Sequence, residues 1–513
     1  MNRTRREFLA DVGRGMLVAS VGSAVATDLG LAPAYADEGA KTLSFGPLEP
    51  LVALMQETPA NKLLPKLVEK IQAGTDLKTL VAAGALANAR TFGGQDYIGF
   101  HTIMALVPAF EMSRRLPEAS RPLPVFKVLY RNADRIQAKG GRKDEVLHPV
   151  QPAELPKDRS GGEVLRDAAR KADMDGAERI FAALAQGPIG EAYNHLQFEI
   201  QDEVDVHRVV LSWRAWSLLD LTGKEQAHTL LRQSVRYCVQ QEAYRIKNSG
   251  RAAGIRTELP KLLDQYKLVG RPLGDRKADD AWVEKLARAI YGGSREQAAD
   301  AAAAALAEGF TPDAVGEALV VASNLLVLHD PGRRSADGVK GVGSCHGDSV
   351  GVHASDSANA WRHIAKVSNP RNTVASLITG AYHTGGQSGG LNKQPYPLPE
   401  QLEKIQAKDA ETLLKETEAA VKDKDQARAC ALVHQYGVLG HPASPVFDVL
   451  LRYAISEDGA LHAEKYYQTV TEEFNAARPA FRGRQLAALA RVTASEVGMP
   501  APGYAEACRL LKV

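Results

Sequence analysis

Four histidines occupy matching places along this chain. His101, His207, His353 and His462 each open a long helical pattern, and each follows an acid by five residues: Asp96, Asp202, Asp348 and Glu457. Histidine is the commonest transition-metal ligand, and it also exchanges protons near neutral pH. If the four units pack with pseudo-symmetry, the rings converge on one centre and the acids stand behind them as outer partners or co-ligands. Helices packed around a buried centre are an established way to build iron or manganese sites. His101, His207, His353, His462 and Asp348 are therefore candidate ligands for a transition metal, whether Fe, Mn, Cu or Zn. The competing reading has each acid cap a helix while each histidine packs one turn on, satisfied by a backbone carbonyl.

The richest of these regions runs from Asp348 to Gly390 and reads as a helical hairpin. Asp356 or Ser357 is the expected cap of its first helix, which carries Ala360, Trp361, Ile364 and Val367 at helical spacing. Asn369 caps the second, with Pro370 at its first position, where a missing N–H costs nothing. Antiparallel packing places His353, at the start of one helix, near His383, at the end of the other. His353, His383 and Tyr382 are thus candidate catalytic groups. Cys345, His346 and Arg362 are candidate contacts to a cofactor, among glycines that let backbone approach a ligand closely. A lid with surface histidines would share these features.

Other motifs are weaker. In Tyr193–His207, a continuous helix would set His195, Glu199 and Glu203 on one face, although a solvated polar face explains that spacing more often than a metal. Gly386-Gln387-Ser388-Gly389-Gly390 matches a nucleophile elbow, but a helix precedes it where a strand is required. No phosphate-binding glycine loop occurs. Cys238, Cys345, Cys430 and Cys508 are widely spaced and include no C-x-x-C pair, so mostly free or buried thiols are expected.

The elements that must position these residues are helices throughout, with almost no strand alternation from Leu48 onward. Helical patterns cover Leu77–Arg90, the segment after His101, Val125–Gln137, the segment after His207, Gln226–Lys247, Pro312–Leu328, His462–Asn475 and Gln485–Val497. In three units a tyrosine (Tyr130, Tyr237, Tyr382) falls 29 or 30 residues after the histidine. The expected fold is all-α: divergent helical hairpins packed into one large helical domain, or into two halves at 37–255 and 256–513. The Gly-, Pro- and charge-rich tract Asn248–Asp279 marks the division.

Residues 1–36 resemble a twin-arginine export signal, with Arg5-Arg6-Glu7-Phe8-Leu9, a weakly apolar run, and Ala34-Tyr35-Ala36 as the cleavage site. That implies passage through the twin-arginine translocase and a periplasmic or otherwise exported protein. Lys and Arg total 63 against 61 Asp and Glu, so no overall field favours nucleic acid. No stretch is long and apolar enough for stable membrane insertion.

The segments FHTIMALVPAF (100–110) and VHASDSANAWRHI (352–364) resemble the questin oxidase family. That family is all-helical and linked to Baeyer–Villiger-type ring cleavage of aromatic polyketides. The resemblance implies an oxidative activity with His101 and His353 in the pocket. The leading expectation is an exported, histidine-lined, metal-dependent oxidoreductase acting on a small organic substrate. The alternatives are a non-catalytic helical-repeat binding or scaffold protein with structural histidines, and a hydrolase or lyase using a histidine base.

Overall fold

The computed structural model describes residues 42–336, 340–345 and 349–513. The N-terminal signal-like segment, His346 and Asp348 lie outside the described residues. Among those described there is no β-strand, only isolated bridges between Arg276 and Phe310 and between Glu457 and Pro500. The chain is an all-α protein packed into one large helical domain.

The helices that position the site are, in chain order, α1 (Leu77–Phe92), α2 (Tyr97–Ser113), α3 (Pro122–Ala138), α4 (Gly161–Arg170), α5 (Ile189–Ile200), α6 (Val206–Ser217), α7 (Ala227–Asn248), α8 (Ile255–Gln265), α9 (Pro312–His329), α10 (Val350–Val367), α11 (Pro370–Thr384), α12 (His462–Ala476) and α13 (Pro479–Glu496). Four of them form a closed ring: α2 packs on α6, α6 on α10, α10 on α12, and α12 back on α2. Each has a returning partner outside it, respectively α3, α7, α11 and α13. The hairpin repeat is thus realised as four inner and four outer helices. Two inner helices come from each side of residue 255, and all four share one centre.

Local chemistry fixes where the inner helices begin. Asp96 caps α2 by accepting the Gly99 N–H at 2.8 Å, and Asp205 caps α6 by accepting the His207 N–H at 3.1 Å. Ser349 caps α10 through the Val352 N–H. The start of α12 is different: Ala460 and Leu461 hold left-handed backbone angles (φ 47° and 64°) and swing the chain into His462. Gly351 lets α10 lie against α9, since a Cβ there would fall 2.5 Å from Val327 Cα.

Two expectations about elements need correction. Asp356 and Ser357 do not cap α10 but lie buried inside it, where Asp356 accepts the Thr469 hydroxyl at 2.9 Å. The helix starts two turns earlier, because Ser349 supplies a cap and Gly351 removes a clash. The segment Tyr193–His207 is not one helix. It breaks after Ile200, leaving Glu203 in the turn with its carboxylate on the Val204 N–H, so His195, Glu199 and Glu203 share no face. The tract Asn248–Asp279 is not irregular throughout. It contains α8, whose Ile255, Leu259, Leu262 and Leu263 are buried at helical spacing despite Pro260.

Candidate functional site

Because the inner helices form a ring and each carries its histidine within its first five residues, their N-terminal ends meet. His101 is the fifth residue of α2, His207 the second of α6, His353 the fourth of α10 and His462 the first of α12. Around the ring, His101 and His207 have centroids 4.9 Å apart, His207 and His353 5.9 Å, His353 and His462 5.6 Å, and His462 and His101 5.0 Å. Residues separated by more than a hundred positions along the chain thus form one imidazole cluster. His101 and His462 are buried (3% and 5% exposed), whereas His207 and His353 are partly exposed. The cluster is therefore less deeply covered on the side of His207 and His353, although Nε2 of both is buried.

The orientation of two rings follows from what holds them. His101 Nδ1 lies 2.7 Å from the Tyr97 carbonyl oxygen. A carbonyl only accepts, so His101 carries its proton on Nδ1 and keeps a lone pair on Nε2. That Nε2 is buried with no hydrogen-bond partner. His207 repeats the pattern: its Nδ1 faces Asp205 Oδ1 at 3.5 Å, and its Nε2 is buried and unpartnered. Asp205 is itself anchored, accepting the Tyr237 hydroxyl on Oδ2 at 2.5 Å.

Burial, then the charges of Lys465, His207 and His353, push His101 down to about 2, so it is neutral across the physiological range. Burial alone would raise Asp205, but His207 and Tyr237 hydrogen-bond its carboxylate and hold it below the usual range. Tyr237 is pushed up, first by burial and then by Asp205. Aromatic rings pack around the cluster. Phe100 sits 5.0 Å from both His101 and His207, and Tyr97, 60% exposed, lies 4.5 Å from His101 at the rim.

Three of the acids five residues before the histidines have partners elsewhere. Asp96 is held by both Nε and Nη2 of Arg135, besides capping α2. Asp202 binds Arg170 and Arg256. Glu457 accepts the Gly498 and Met499 N–H groups. Asp205, two residues before His207, does face a ring nitrogen.

The remaining candidates stand away from the ring. His383 packs further along α10 than His353 does, accepting the Trp361 indole N–H on Nδ1 at 3.3 Å. Eight residues of helix rise about 12 Å, which separates Trp361 from His353. Burial pushes His383 down to about 4, and the nearby Asp205 opposes this. Tyr382 faces Gly254 and lies beneath the Arg295 guanidinium. Arg362 is buried in ion pairs with Glu473 and Asp313. Cys345 is buried behind the start of α10, its Sγ 3.6 Å from Ser349 Oγ, and burial pushes its thiol up to about 11. It is therefore a thiol at neutral pH.

No protein-family model, curated protein or solved structure matches this chain.

Sequence reasoning missed Asp205, Phe100 and Tyr97. Asp205 carried a signal, since an Asp two residues before a histidine at a helix start can cap the helix and face the ring together. The aromatic pair carried none, because Tyr97 and Phe100 sit in an ordinary helix-opening pattern. Among the described residues, no group of three or more His, Cys, Asp or Glu side chains is placed to hold a metal ion.

Proposed function

We propose that the four-histidine ring holds a single transition-metal ion and that the protein is an oxidoreductase acting on a small organic substrate. The observation that carries this reading is His101: a buried, neutral imidazole whose Nδ1–H is anchored to a carbonyl while its Nε2 lone pair has no partner. An unpartnered buried acceptor is costly. A metal-ligating histidine shows this arrangement, with one nitrogen fixed from behind and the other offered forward.

The spacing of the rings supports the reading. A nitrogen about 2.0–2.1 Å from a metal puts its ring centre roughly 3.2 Å away, and tetrahedral placement then separates ring centres by about 5.2 Å. The four separations between neighbours around the ring, 4.9–5.9 Å, lie close to that value. All-imidazole donors suit Fe, Cu and Zn, and Mn belongs to the same set of candidates.

A bound redox-active ion would supply electron exchange and Lewis acidity at the ring. The chain's own residues do the rest. The Tyr97 carbonyl sets the His101 tautomer, Asp205 stands behind Nδ1 of His207, and Phe100 and Tyr97 pack on the ring faces, leaving the His207–His353 side for substrate. The oxidative assignment also draws on the resemblance of segments 100–110 and 352–364 to questin oxidases, since these contribute His101 and His353. The twin-arginine-like N-terminus adds an exported location, reached through the twin-arginine translocase. That route carries folded proteins with cofactor already inserted.

A non-catalytic scaffold is the second reading, favoured by the absence of a preformed metal shell among the described residues. Elemental analysis of the folded protein separates the two. Stoichiometric Fe, Mn, Cu or Zn, lost in a His101→Ala, His207→Ala double variant that still folds, is the expected result. Metal-free wild type that takes up no added metal would overturn the proposal.

A further inference from the structure

Outside the histidine ring, α4, α5, α8 and α11 enclose a small pocket of about 60 Å³ lined by four arginines: Arg166, Arg170, Arg256 and Arg371. Their charges are not balanced by the chain. Asp202, the one carboxylate lining the pocket, is already shared between Arg170 and Arg256. Arg256 also pairs with Glu242, which in turn takes Arg245 and Arg208. Arg166 has only a loose contact with Asp167 at 3.7 Å. Arg159 holds that carboxylate more closely at 2.5 Å, and Arg166 Nε is buried with no hydrogen-bond partner.

Arg371 is the most telling of the four. Among the described residues its guanidinium makes no ion pair. It donates to two neutral acceptors, Gln201 Oε1 at 2.6 Å and Asn372 Oδ1 at 2.7 Å, and stacks 4.1 Å over the Phe198 ring. Glu163 faces it only at a distance, while burial and the Arg166 charge together push Arg371 down to about 10. Burying a guanidinium beside another without an acid is unfavourable unless an anion completes the set.

We infer that this pocket binds a phosphate-sized tetrahedral oxyanion, either the free ion or the head of a phosphomonoester. Its volume holds roughly four water-sized atoms at about 15 Å³ each, which matches four oxygens around a central atom. Arginine forks suit such oxygens, and the stacking on Phe198 holds the Arg371 plane in place. The first turn of α8, with Ile255 and Arg256, lines the same pocket and adds the positive end of a helix.

The test titrates the full chain with inorganic phosphate at fixed ionic strength, with sodium chloride as the reference, following binding heat and melting temperature. One-to-one saturable binding is expected, with melting raised by about 3 °C at a hundredfold excess over the dissociation constant. Arg371→Gln should weaken binding at least tenfold and, in phosphate-free buffer, melt no lower than wild type. Arg166→Gln, at the more accessible edge, gives the same loss of binding should Arg371→Gln fold poorly. Methyl phosphate distinguishes the two sources: tighter binding than inorganic phosphate assigns an ester head, weaker binding the free ion. Phosphate no better than chloride, or unchanged binding in both variants, overturns the inference.

Discussion

Asp205→Asn is the most informative single change at the histidine ring. In the folded protein the Asp205 carboxylate does three things: it caps α6 through the His207 N–H, accepts the Tyr237 hydroxyl, and faces His207 Nδ1. Asparagine retains the first two, because its side-chain oxygen caps helices as well as aspartate and can still accept from Tyr237. What it loses is the negative charge behind the imidazole. Removing such an outer partner costs about 10–100-fold in metal affinity, or ~1.4–2.7 kcal/mol. The accompanying loss of fold stability should stay near ~1 kcal/mol, since one charge-assisted hydrogen bond becomes a neutral one. The assay is a competition titration of cobalt(II) against a chelator, with the visible absorption of the bound ion reporting tetrahedral coordination, alongside urea melts of the metal-free protein. A variant with wild-type metal affinity, made in a chain whose His207→Ala form loses the metal, would show that Asp205 does not tune His207. The reasoning about the ring's outer support would then fail.

Two further outcomes follow from other parts of the molecule. Arg362→Ala should destabilise the fold by about 3–5 kcal/mol, because it strands the buried Glu473 carboxylate. Metal content should not change, so a loss under ~1 kcal/mol, or loss of metal without loss of stability, would contradict a structural role. His228 is stacked near Phe181 with a buried, unpartnered Nε2, and burial followed by the Arg232 charge pushes it down to about 4. Its folded value lies below the unfolded one of about 6.5. The unfolded chain therefore binds a proton that the folded chain refuses, and stability falls as pH drops from about 6.5 towards 4. Relative to His228→Gln, the wild type should lose up to ~1.4 kcal/mol per pH unit across that window. Parallel stability profiles in denaturant melts between about pH 7 and pH 5 would refute it.

The sequence by itself determined the helices and the ends that matter most. Caps and breakers act within a few residues of one another, so Asn369 with Pro370 at the start of α11 could be read directly. The same holds for the hairpin rhythm and for the placing of His101, His207, His353 and His462 at helix starts. The starts of α10 and α12 were harder. The first depends on Gly351 fitting against Val327, and the second on left-handed angles at Ala460 and Leu461 that no residue type there announces.

Only the tertiary structure decided which charged group meets which. Asp96 finds Arg135 across a hairpin, Arg362 finds Glu473 more than a hundred residues away, and Asp202 is taken by two arginines from other helices. Asp96 and Asp202, each five residues before a histidine, are therefore held by arginines instead. Long side chains pair with whatever cation the packing brings within reach, and sequence spacing constrains only residues on the same turn or the next. The convergence of four imidazoles belongs to the same class of fact. Each chain segment offers one histidine at a helix start, but closing α2, α6, α10 and α12 into a ring is what brings the four into one centre.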